Sequence, residues 1–334
     1  MQNIINGLPI AAVILLLAVG FAFLVKGADF FVEGSSSIAK KLKVPPIIIG
    51  LTIVAMGTSL PETAVSVTAS LVQNNELAVS NVVGSNIFNL MFVIGVCSIL
   101  TPIMVQKATV VRDIPLSLVC ALLLLVLGIS GLGDKAGMTL GHADGIIFPI
   151  VFAGYIFTMV RSAMKARAAG QKVEIEGVEE CDNMKELSYG KSILFLIVGA
   201  AAIAFGGDLT VDTASRIAIE LGMSQTLVGL TIVSIGTSLP ELVTSVVAAR
   251  KNEVDMAVGN AVGSNIFNIL MVLGISSAIS PVALIRENLI DIVLLMVFSV
   301  MVWIFAGTRK KIERKEGIIM VVVYLVYCAY IIAR

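Results

Sequence analysis

Charged residues are scarce in this chain, and their scarcity excludes several classes of protein. Asp, Glu, Lys and Arg make up only 14% of its 334 residues, whereas they make up about 25% of a soluble domain. The formal net charge is zero, so no basic surface points to a nucleic-acid partner. Because 57% of the residues are hydrophobic and the mean hydropathy is +1.00, the composition indicates a polytopic membrane protein surrounded by a lipid bilayer.

Histidine and paired cysteines are also lacking. The one histidine, His142, lies in a predicted loop, and the four cysteines show neither zinc-site spacing nor a disulfide framework. The apolar segments hold no nucleophile–base set and no metal triad, so we expect no enzymatic activity and no cofactor. The N-terminus shows no basic region followed by a cleavage pattern, so the first apolar run is predicted to be a retained helix.

Long apolar runs are what the sequence has in abundance. About 20 apolar residues cross a bilayer as a helix, and on that basis we predict an all-α fold with ten transmembrane helices. The first and sixth are long enough to need tilting. The predicted spans are 8–38, 45–72, 77–100, 111–131, 144–162, 190–219, 224–249, 256–279, 287–307 and 316–333.

The loops between these runs predict the topology. Residues 163–189 form the one sizeable polar segment, which we interpret as a linker. Lys and Arg recur after the odd-numbered helices and are few after the even-numbered ones. Because such an excess marks cytoplasmic loops, we expect a multi-pass protein of the cell (cytoplasmic) membrane, with the linker in the cytoplasm and both termini outside.

An internal repeat divides the chain into two halves. Residues 27–102 match residues 206–281 without a gap, at a fixed offset of 179. Each unit has an odd number of predicted helices, so the second copy enters the membrane upside down relative to the first. The predicted organisation is a first five-helix repeat (1–162), the linker (163–189) and a second, inverted five-helix repeat (190–334). Inverted repeats are typical of secondary transporters, whose site lies near the midplane between the repeats.

The first of two strongly repeated blocks reads GTSLPE, at 57–62 and again at 236–241. Pro61 and Pro240 each remove a helical hydrogen-bond donor, and the glycines add backbone freedom. We therefore predict a discontinuous helix in each half, which survives at membrane depth only where it lines a cavity. Each block ends in a carboxylate, Glu62 or Glu241, and a carboxylate at that depth indicates a functional site.

The second block reads NVVGSNIFN at 81–89 and NAVGSNIFN at 260–268. Together the blocks offer carboxylates, hydroxyls, amide oxygens and backbone carbonyls, which form the oxygen-only ligand set preferred by Ca²⁺ and suited to Na⁺. Their negative charge disfavours an anionic substrate. Taken singly, Ser59, Ser238, Asn86 and Asn265 are equally compatible with simple helix packing.

The paired GTSLPE and GSNIFN blocks, repeated in two sets of five helices, resemble the cation/Ca²⁺ exchanger superfamily. The nearer resemblance is to its prokaryotic sodium/calcium exchangers, which are similar to K⁺-dependent Na⁺/Ca²⁺ exchangers. The resemblance covers both halves. It implies that the blocks, on helices 2, 3, 7 and 8, line four cation sites, one preferring Ca²⁺ and the others Na⁺. It also implies that helices 1 and 6 form a tilted pair that slides across this core.

Carried over position by position, the resemblance implies a role for each pair of residues. The carboxylates would ligate Ca²⁺ and share Na⁺, the threonines would give backbone carbonyls, and the serines of the second block would give hydroxyls to Na⁺. Ala55 and Ser234 align with backbone-carbonyl donors, and Ser59 and Ser238 would flank the site. The metal-binding candidates are Glu62, Glu241, Thr58, Thr237, Ser85, Ser264, Asn89, Asn268, Ser59, Ser238, Ala55 and Ser234.

One departure from the family pattern concerns charge. Many members carry an acid at the position of Asn89 or Asn268, whereas this chain has an amide at both. The carboxylate charge of the site would rest on Glu62 and Glu241 alone, and K⁺ dependence stays open.

The predicted function is exchange of Ca²⁺ for Na⁺ by alternating access, with these ions as the substrates and a monomer sufficient. The alternative is a H⁺/Ca²⁺ antiporter on the same fold, in which Glu62 and Glu241 would carry protons. The serine hydroxyls at 85 and 264 favour Na⁺. A cation channel fits an inverted pair of broken helices less well than alternating access does.

Overall fold

The protein is mostly helical, as its hydropathy predicts. The computed structural model describes residue 5 and residues 7–42, 44–71, 75–130, 138–168, 187–223, 232 and 234–333. Most of the predicted linker lies outside the described residues, as do Cys181 and the first part of the predicted seventh span.

Short π-helical stretches interrupt several helices of the first half. The elements in chain order are α1 (Ile10–Leu42), α2 (Pro46–Ile49), a π-helical turn (Gly50–Val54), α3 (Ala55–Thr58), α4 (Leu60–Leu71), α5 (Asn75–Ile87), a π-helical turn (Phe88–Val93), α6 (Ile94–Leu100), β1 (Ile103–Met104), a π-helical turn (Thr109–Asp113), α7 (Ile114–Ser130), β2 (Thr139–Leu140) and α8 (His142–Ala168).

The second half follows a similar order. Its elements are α9 (Tyr189–Glu220), α10 (Ser234–Gly236), α11 (Leu239–Arg250), α12 (Val254–Phe267), a π-helical turn (Asn268–Leu273), α13 (Gly274–Ile279), β3 (Val282–Ala283), α14 (Arg286–Arg309), β4 (Lys311–Ile312) and α15 (Arg314–Ala333).

Eight helices within the described residues are long and apolar enough to cross a membrane. A ninth candidate is a pair, Pro46–Thr58 and Leu60–Leu71, bent by 48° at its break. The ten predicted spans include one, 224–249, of which residues 224–231 and 233 lie outside the described part.

Helices α1 and α9 form a close antiparallel pair. Gly20 of α1 lies beside Gly206 of α9, and Gly27 lies beside Gly199. A Cβ added to Gly199 would lie 2.7 Å from the backbone nitrogen of Phe31. Small residues let transmembrane helices approach to backbone contact, so the glycines hold these two helices together along their length.

A second glycine contact joins the two halves at the centre of the protein. A Cβ on Gly50 would lie 2.7 Å from the carbonyl oxygen of Met256, and one on Gly263 would lie 2.7 Å from the Cα of Leu51. The residues leading to α3 therefore pack directly on α12, and Gly259 lies in the same contact. This packing places the GTSLPE block of the first half against the GSNIFN block of the second.

Two short antiparallel ribbons join the halves. β1 pairs antiparallel with β4, with Ile103 opposite Ile312. β2 pairs antiparallel with β3, with Leu140 opposite Val282. Each ribbon therefore links one segment of the first half to one of the second.

Candidate functional site

Each GTSLPE block contains a helix break. In the first half α3 ends at Thr58, Ser59 leaves helical geometry (φ −83°, ψ 13°), and α4 begins at Leu60. In the second half Ser238 has nearly the same dihedrals (φ −93°, ψ 5°), and α11 begins at Leu239. The prolines occupy the second position of the new helix, where a missing N–H breaks no helical bond. The predicted discontinuity is present, and the prolines start the next helix.

The glycine of each block lies against a side chain of the α1–α9 pair. Gly57 and Gly236 lie in α3 and α10, and neither has a positive φ. A Cβ on Gly57 would lie 2.7 Å from the ring atom Cζ of Phe31 on α1, and Gly236 likewise faces the side chain of Val211 on α9. These glycines make room for side chains of the α1–α9 pair, and the backbone freedom expected of them stays a prediction.

The two carboxylates are fully buried and are hydrogen-bonded across the halves. Glu62 and Glu241 both have 0% exposed surface. The Ser238 hydroxyl donates to Glu62 Oε1 at 2.9 Å, and the Ser59 hydroxyl donates to Glu241 Oε1 at 2.8 Å. The serine at each break therefore holds the carboxylate of the other half. Since 62 and 59 correspond to 241 and 238 at the offset of 179, the two bonds are equivalent.

The serines of the second block approach the carboxylates from within their own half. Ser85 Oγ lies 3.5 Å from Glu62 Oε1, and Ser264 Oγ lies 3.4 Å from Glu241 Oε1. Ser264 Oγ also lies 3.4 Å from the carbonyl oxygen of Ala55. Each carboxylate is thus contacted by at least two hydroxyls, and the Ala55 carbonyl lies beside one of them.

The threonines contact asparagines of the opposite half. Thr58 Oγ1 donates to Asn260 Oδ1 at 3.0 Å, and Thr237 Oγ1 donates to Asn81 Oδ1 at 3.4 Å. Ser234 begins α10, and its side chain lies outside the described part.

Three further amides, Asn86, Asn265 and Asn268, are hydrogen-bonded where the C-terminal end of α5 meets that of α12. Asn86 Nδ2 donates to the backbone oxygen of Asn265 at 3.2 Å, and Asn265 Nδ2 donates to that of Asn86 at 3.0 Å. Asn268 Nδ2 donates to Asn86 Oδ1 at 3.2 Å. Asn89 and Asn268 are both completely buried.

Several oxygen atoms of this region have no hydrogen-bond partner among the described residues. They are Glu62 Oε2, Glu241 Oε2, Asn89 Oδ1, Asn265 Oδ1 and Asn268 Oδ1. A buried acceptor left without a partner costs about 1–3 kcal/mol and more when charged. Carboxylate and amide oxygens are the donor atoms that hard cations prefer.

Asn81 and Asn260, with their partners Ser66 and Ser245, were not among the predicted site residues. All four lie in the structure between a carboxylate-bearing helix and a second-block helix. A signal for them existed in the sequence, because Asn81 and Ser66 recur at the offset of 179 as Asn260 and Ser245.

The comparisons with known families agree with the sequence pattern over both halves. The family described as "Sodium/calcium exchanger protein" matches residues 12–161 and 191–333. A putative antiporter CaxA of Alkalimonas amylolytica is 37% identical over 314 residues, covering 92% of this chain and 95% of its own length. The sodium/calcium exchanger MaX1 of Methanosarcina acetivorans is 34% identical over 337 residues, covering 94% of this chain and 96% of its own.

Solved structures of a sodium-calcium exchanger also match this chain. The sodium-calcium exchanger NCX_Mj, soaked with zero Na⁺ and Ca²⁺, superposes with a TM-score of 0.81 at 30% sequence identity. The match covers 97% of this chain and 100% of that one. The fold of this chain is therefore like that of NCX_Mj.

Proposed function

Because the chain belongs to the sodium/calcium exchanger protein family, we propose that it is a secondary antiporter that exchanges Ca²⁺ for Na⁺ at the site around Glu62 and Glu241. The observation that carries this proposal is the reciprocal pair of bonds from Ser238 to Glu62 and from Ser59 to Glu241. These bonds bring both carboxylates to one place between the two halves, and each keeps a buried oxygen that has no partner within the described part of the chain.

The charge of the site suits this exchange. Two carboxylates balance one Ca²⁺ or two Na⁺, so a loaded site is neutral or nearly so. An empty site would carry two uncompensated charges in a low-dielectric interior, which is costly. The loaded protein would then change between inward-open and outward-open states more readily than the empty one, and that difference couples the two ions.

Each candidate ligand has a place in this scheme. Glu62 and Glu241 ligate Ca²⁺ and share Na⁺, Thr58 and Thr237 supply backbone carbonyls, and the other pairs complete the shells. Those pairs are Ser85 with Ser264 as hydroxyl donors to Na⁺, Ala55 with Ser234 as carbonyl donors, Asn89 with Asn268 as amide oxygens, and Ser59 with Ser238 at the edge of the site. No separate cofactor is needed.

The proposed architecture consists of two inverted five-helix repeats, 1–162 and 190–334, joined by a cytoplasmic linker at 163–189. The repeats give ten spans in the cytoplasmic membrane with both termini outside. The equivalent bonds at the offset of 179 and the antiparallel α1–α9 pair support it. One chain provides every candidate ligand, so a monomer suffices for exchange.

The counter-ion is tested in vesicles loaded with Na⁺ and diluted into Na⁺-free medium containing ⁴⁵Ca²⁺. We expect rapid Ca²⁺ uptake that requires the outward Na⁺ gradient and persists when a protonophore collapses any pH difference. The control replaces internal Na⁺ by choline and should show only leakage. Uptake driven by a proton gradient alone would instead establish the H⁺/Ca²⁺ alternative on the same carboxylates.

Removing the two serine hydroxyls that donate to the carboxylate of the other half should weaken Ca²⁺ binding. Ser59→Ala and Ser238→Ala each delete a hydrogen bond to a buried carboxylate, and a bond to a charged group contributes about 1.5–3 kcal/mol. The part of this loss that the cation-free and the cation-bound protein have in common cancels from the binding free energy. We therefore expect the KM for Ca²⁺ to rise only about 3- to 10-fold in each variant. The measurement is initial ⁴⁵Ca²⁺ uptake against Ca²⁺ concentration.

The matched control for this pair is Ser70→Ala. Ser70 is also buried on α4, and its hydroxyl has no partner among the described residues. Its substitution should leave the KM within a factor of about 2, because the described contacts give the Ser70 hydroxyl no hydrogen bond to lose. An unchanged KM in both Ser59→Ala and Ser238→Ala would show that the crossing bonds play no part in binding.

A further inference from the structure

Two buried asparagines, Asn81 and Asn260, connect the carboxylate-bearing helices to the opposite half. Asn260 has 0% exposed surface and Asn81 has 9%. Both lie one helical turn before the serine of their block, at Ser85 or Ser264, and neither contacts a carboxylate oxygen in the described contacts. They are therefore placed next to the ligands without being ligands.

The amide of Asn260 uses both of its ends. Its Nδ2 donates to Ser245 Oγ at 3.0 Å and to the backbone oxygen of Glu241 at 3.3 Å, both on α11. Its Oδ1 accepts from the Thr58 hydroxyl at 3.0 Å. One end thus holds the helix that starts after the break in the second half. The other end holds the last helical residue before the break in the first.

Asn81 repeats this arrangement in the other half. Its Nδ2 donates to Ser66 Oγ at 3.0 Å and to the backbone oxygen of Glu62 at 3.4 Å. Its Oδ1 accepts from the Thr237 hydroxyl at 3.4 Å. An asparagine side chain offers two donors and one carbonyl acceptor, so both Nδ2 and Oδ1 of each of these amides are hydrogen-bonded to residues around the site.

The asparagine bonds and the crossing serine bonds together form closed rings. Thr58 bonds to Asn260, Asn260 bonds to the backbone of Glu241, and the Glu241 carboxylate bonds to Ser59, the neighbour of Thr58. The corresponding ring joins Thr237, Asn81, Glu62 and Ser238. Each ring holds the backbone at the helix break of one half against the backbone of the glutamate in the other half.

We propose that Asn81 and Asn260 are positioning residues that fix the separation of the two helix breaks and thereby set which divalent cations the site accepts. This inference rests on the proposed function, because it concerns the same site. Selectivity among hard cations depends on cavity size, ligand number and the flexibility of the ligands. The asparagine bonds between the two helix breaks limit that flexibility, so a cation larger than Ca²⁺ cannot push the two halves of the ligand set apart.

The experiment measures cation binding by calorimetry on the purified full-length chain in detergent, with Ca²⁺ and the larger Ba²⁺ titrated separately. In Asn81→Ala and Asn260→Ala we expect the Kd for Ca²⁺ to rise about 10-fold, since two or more buried bonds are lost. The preference for Ca²⁺ over Ba²⁺ should fall about 3-fold or more, because loosened ligands favour the larger ion. A protein that is merely destabilised would lose affinity for both ions by the same factor.

Two controls separate positioning from general packing. Asn288→Ala removes a buried amide that joins α14 to α5 through the Ser80 hydroxyl. Thr244→Val alters a buried hydroxyl on α11 that has no partner among the described residues. Both should keep the wild-type ratio of Ba²⁺ to Ca²⁺ affinity. An unchanged ratio in both Asn81→Ala and Asn260→Ala would overturn the inference.

A second pair of variants covers the case in which the asparagine variants do not fold. Ser66→Ala and Ser245→Ala each remove one of the two Nδ2 acceptors and leave the glutamate backbone oxygen in place, so we expect the ratio to shift in the same direction by a smaller factor. A wild-type ratio in both would overturn the inference. The Glu62→Gln protein is titrated alongside. Undiminished Ca²⁺ binding by that protein would overturn the proposed site itself, and the calorimetry needs no counter-ion, so the Na⁺ question does not affect it.

Discussion

Replacing Glu62 by Gln, or Glu241 by Gln, is expected to lower Ca²⁺ transport at least about 100-fold. Glutamine keeps the shape of the side chain and an oxygen that accepts from Ser238 or Ser59, so the change removes mainly the charge. Leaving a buried charge without its partner costs about 3–5 kcal/mol, and each 1.4 kcal/mol corresponds to a factor of ten. Because Glu62 and Glu241 supply the only carboxylates among the candidate ligands, neither substitution is compensated by another acid.

This expectation is checked by initial rates of ⁴⁵Ca²⁺ uptake in vesicles that contain equal amounts of folded protein. Glu287→Gln is the matched control, since Glu287 is exposed at the start of α14, and its rate should remain at the wild-type level. The two site variants should be similar to each other, because their surroundings are equivalent at the offset of 179. Either variant transporting at the wild-type rate would remove that carboxylate from the mechanism.

The sequence alone predicted the long helices and the position of the breaks. Hydropathy identifies a membrane helix because every backbone group must be satisfied inside it, which leaves few alternatives to a long apolar helix. The breaks were predictable because Pro61 and Pro240 recur in identical blocks. The repeat also selected Glu62 and Glu241, since polar residues kept at matching depths in two copies are expensive without a function.

The contacts between the halves could not be read from the sequence in this way. The repeat shows that residues 59 and 238 correspond, but it does not show that Ser59 reaches Glu241 and not Glu62. The pairing of each serine with the glutamate of the other half depends on how the segment from Gly50 to α3 packs on α12 at Gly263. That packing is a property of the tertiary structure. The packing role of Gly57 could not be read from the sequence for the same reason, because the side chain that fills the space beside it comes from α1.

Replacing Gly199 by Ala is expected to destabilise the protein substantially and to reduce transport. The added Cβ would lie 2.7 Å from the backbone nitrogen of Phe31 and 2.8 Å from the carbonyl oxygen of Gly27, and backbone atoms cannot rotate out of its way. Overpacking of this kind typically costs about 1–3 kcal/mol. The larger Gly199→Leu should prevent α1 and α9 from pairing and yield little folded protein. Thermal unfolding in detergent measures the first effect.

Gly190→Ala on the same helix is the matched control, because a Cβ there would meet nothing within 4 Å, and its unfolding temperature should stay near that of the wild type. The effect on transport has a direct structural route. The Phe31 backbone that Gly199 contacts carries the ring that packs against Gly57, the residue before Thr58. Pushing α1 away from α9 therefore moves a side chain that lies against the helix break. Gly199→Ala with the stability and transport rate of Gly190→Ala would show that this contact is not needed.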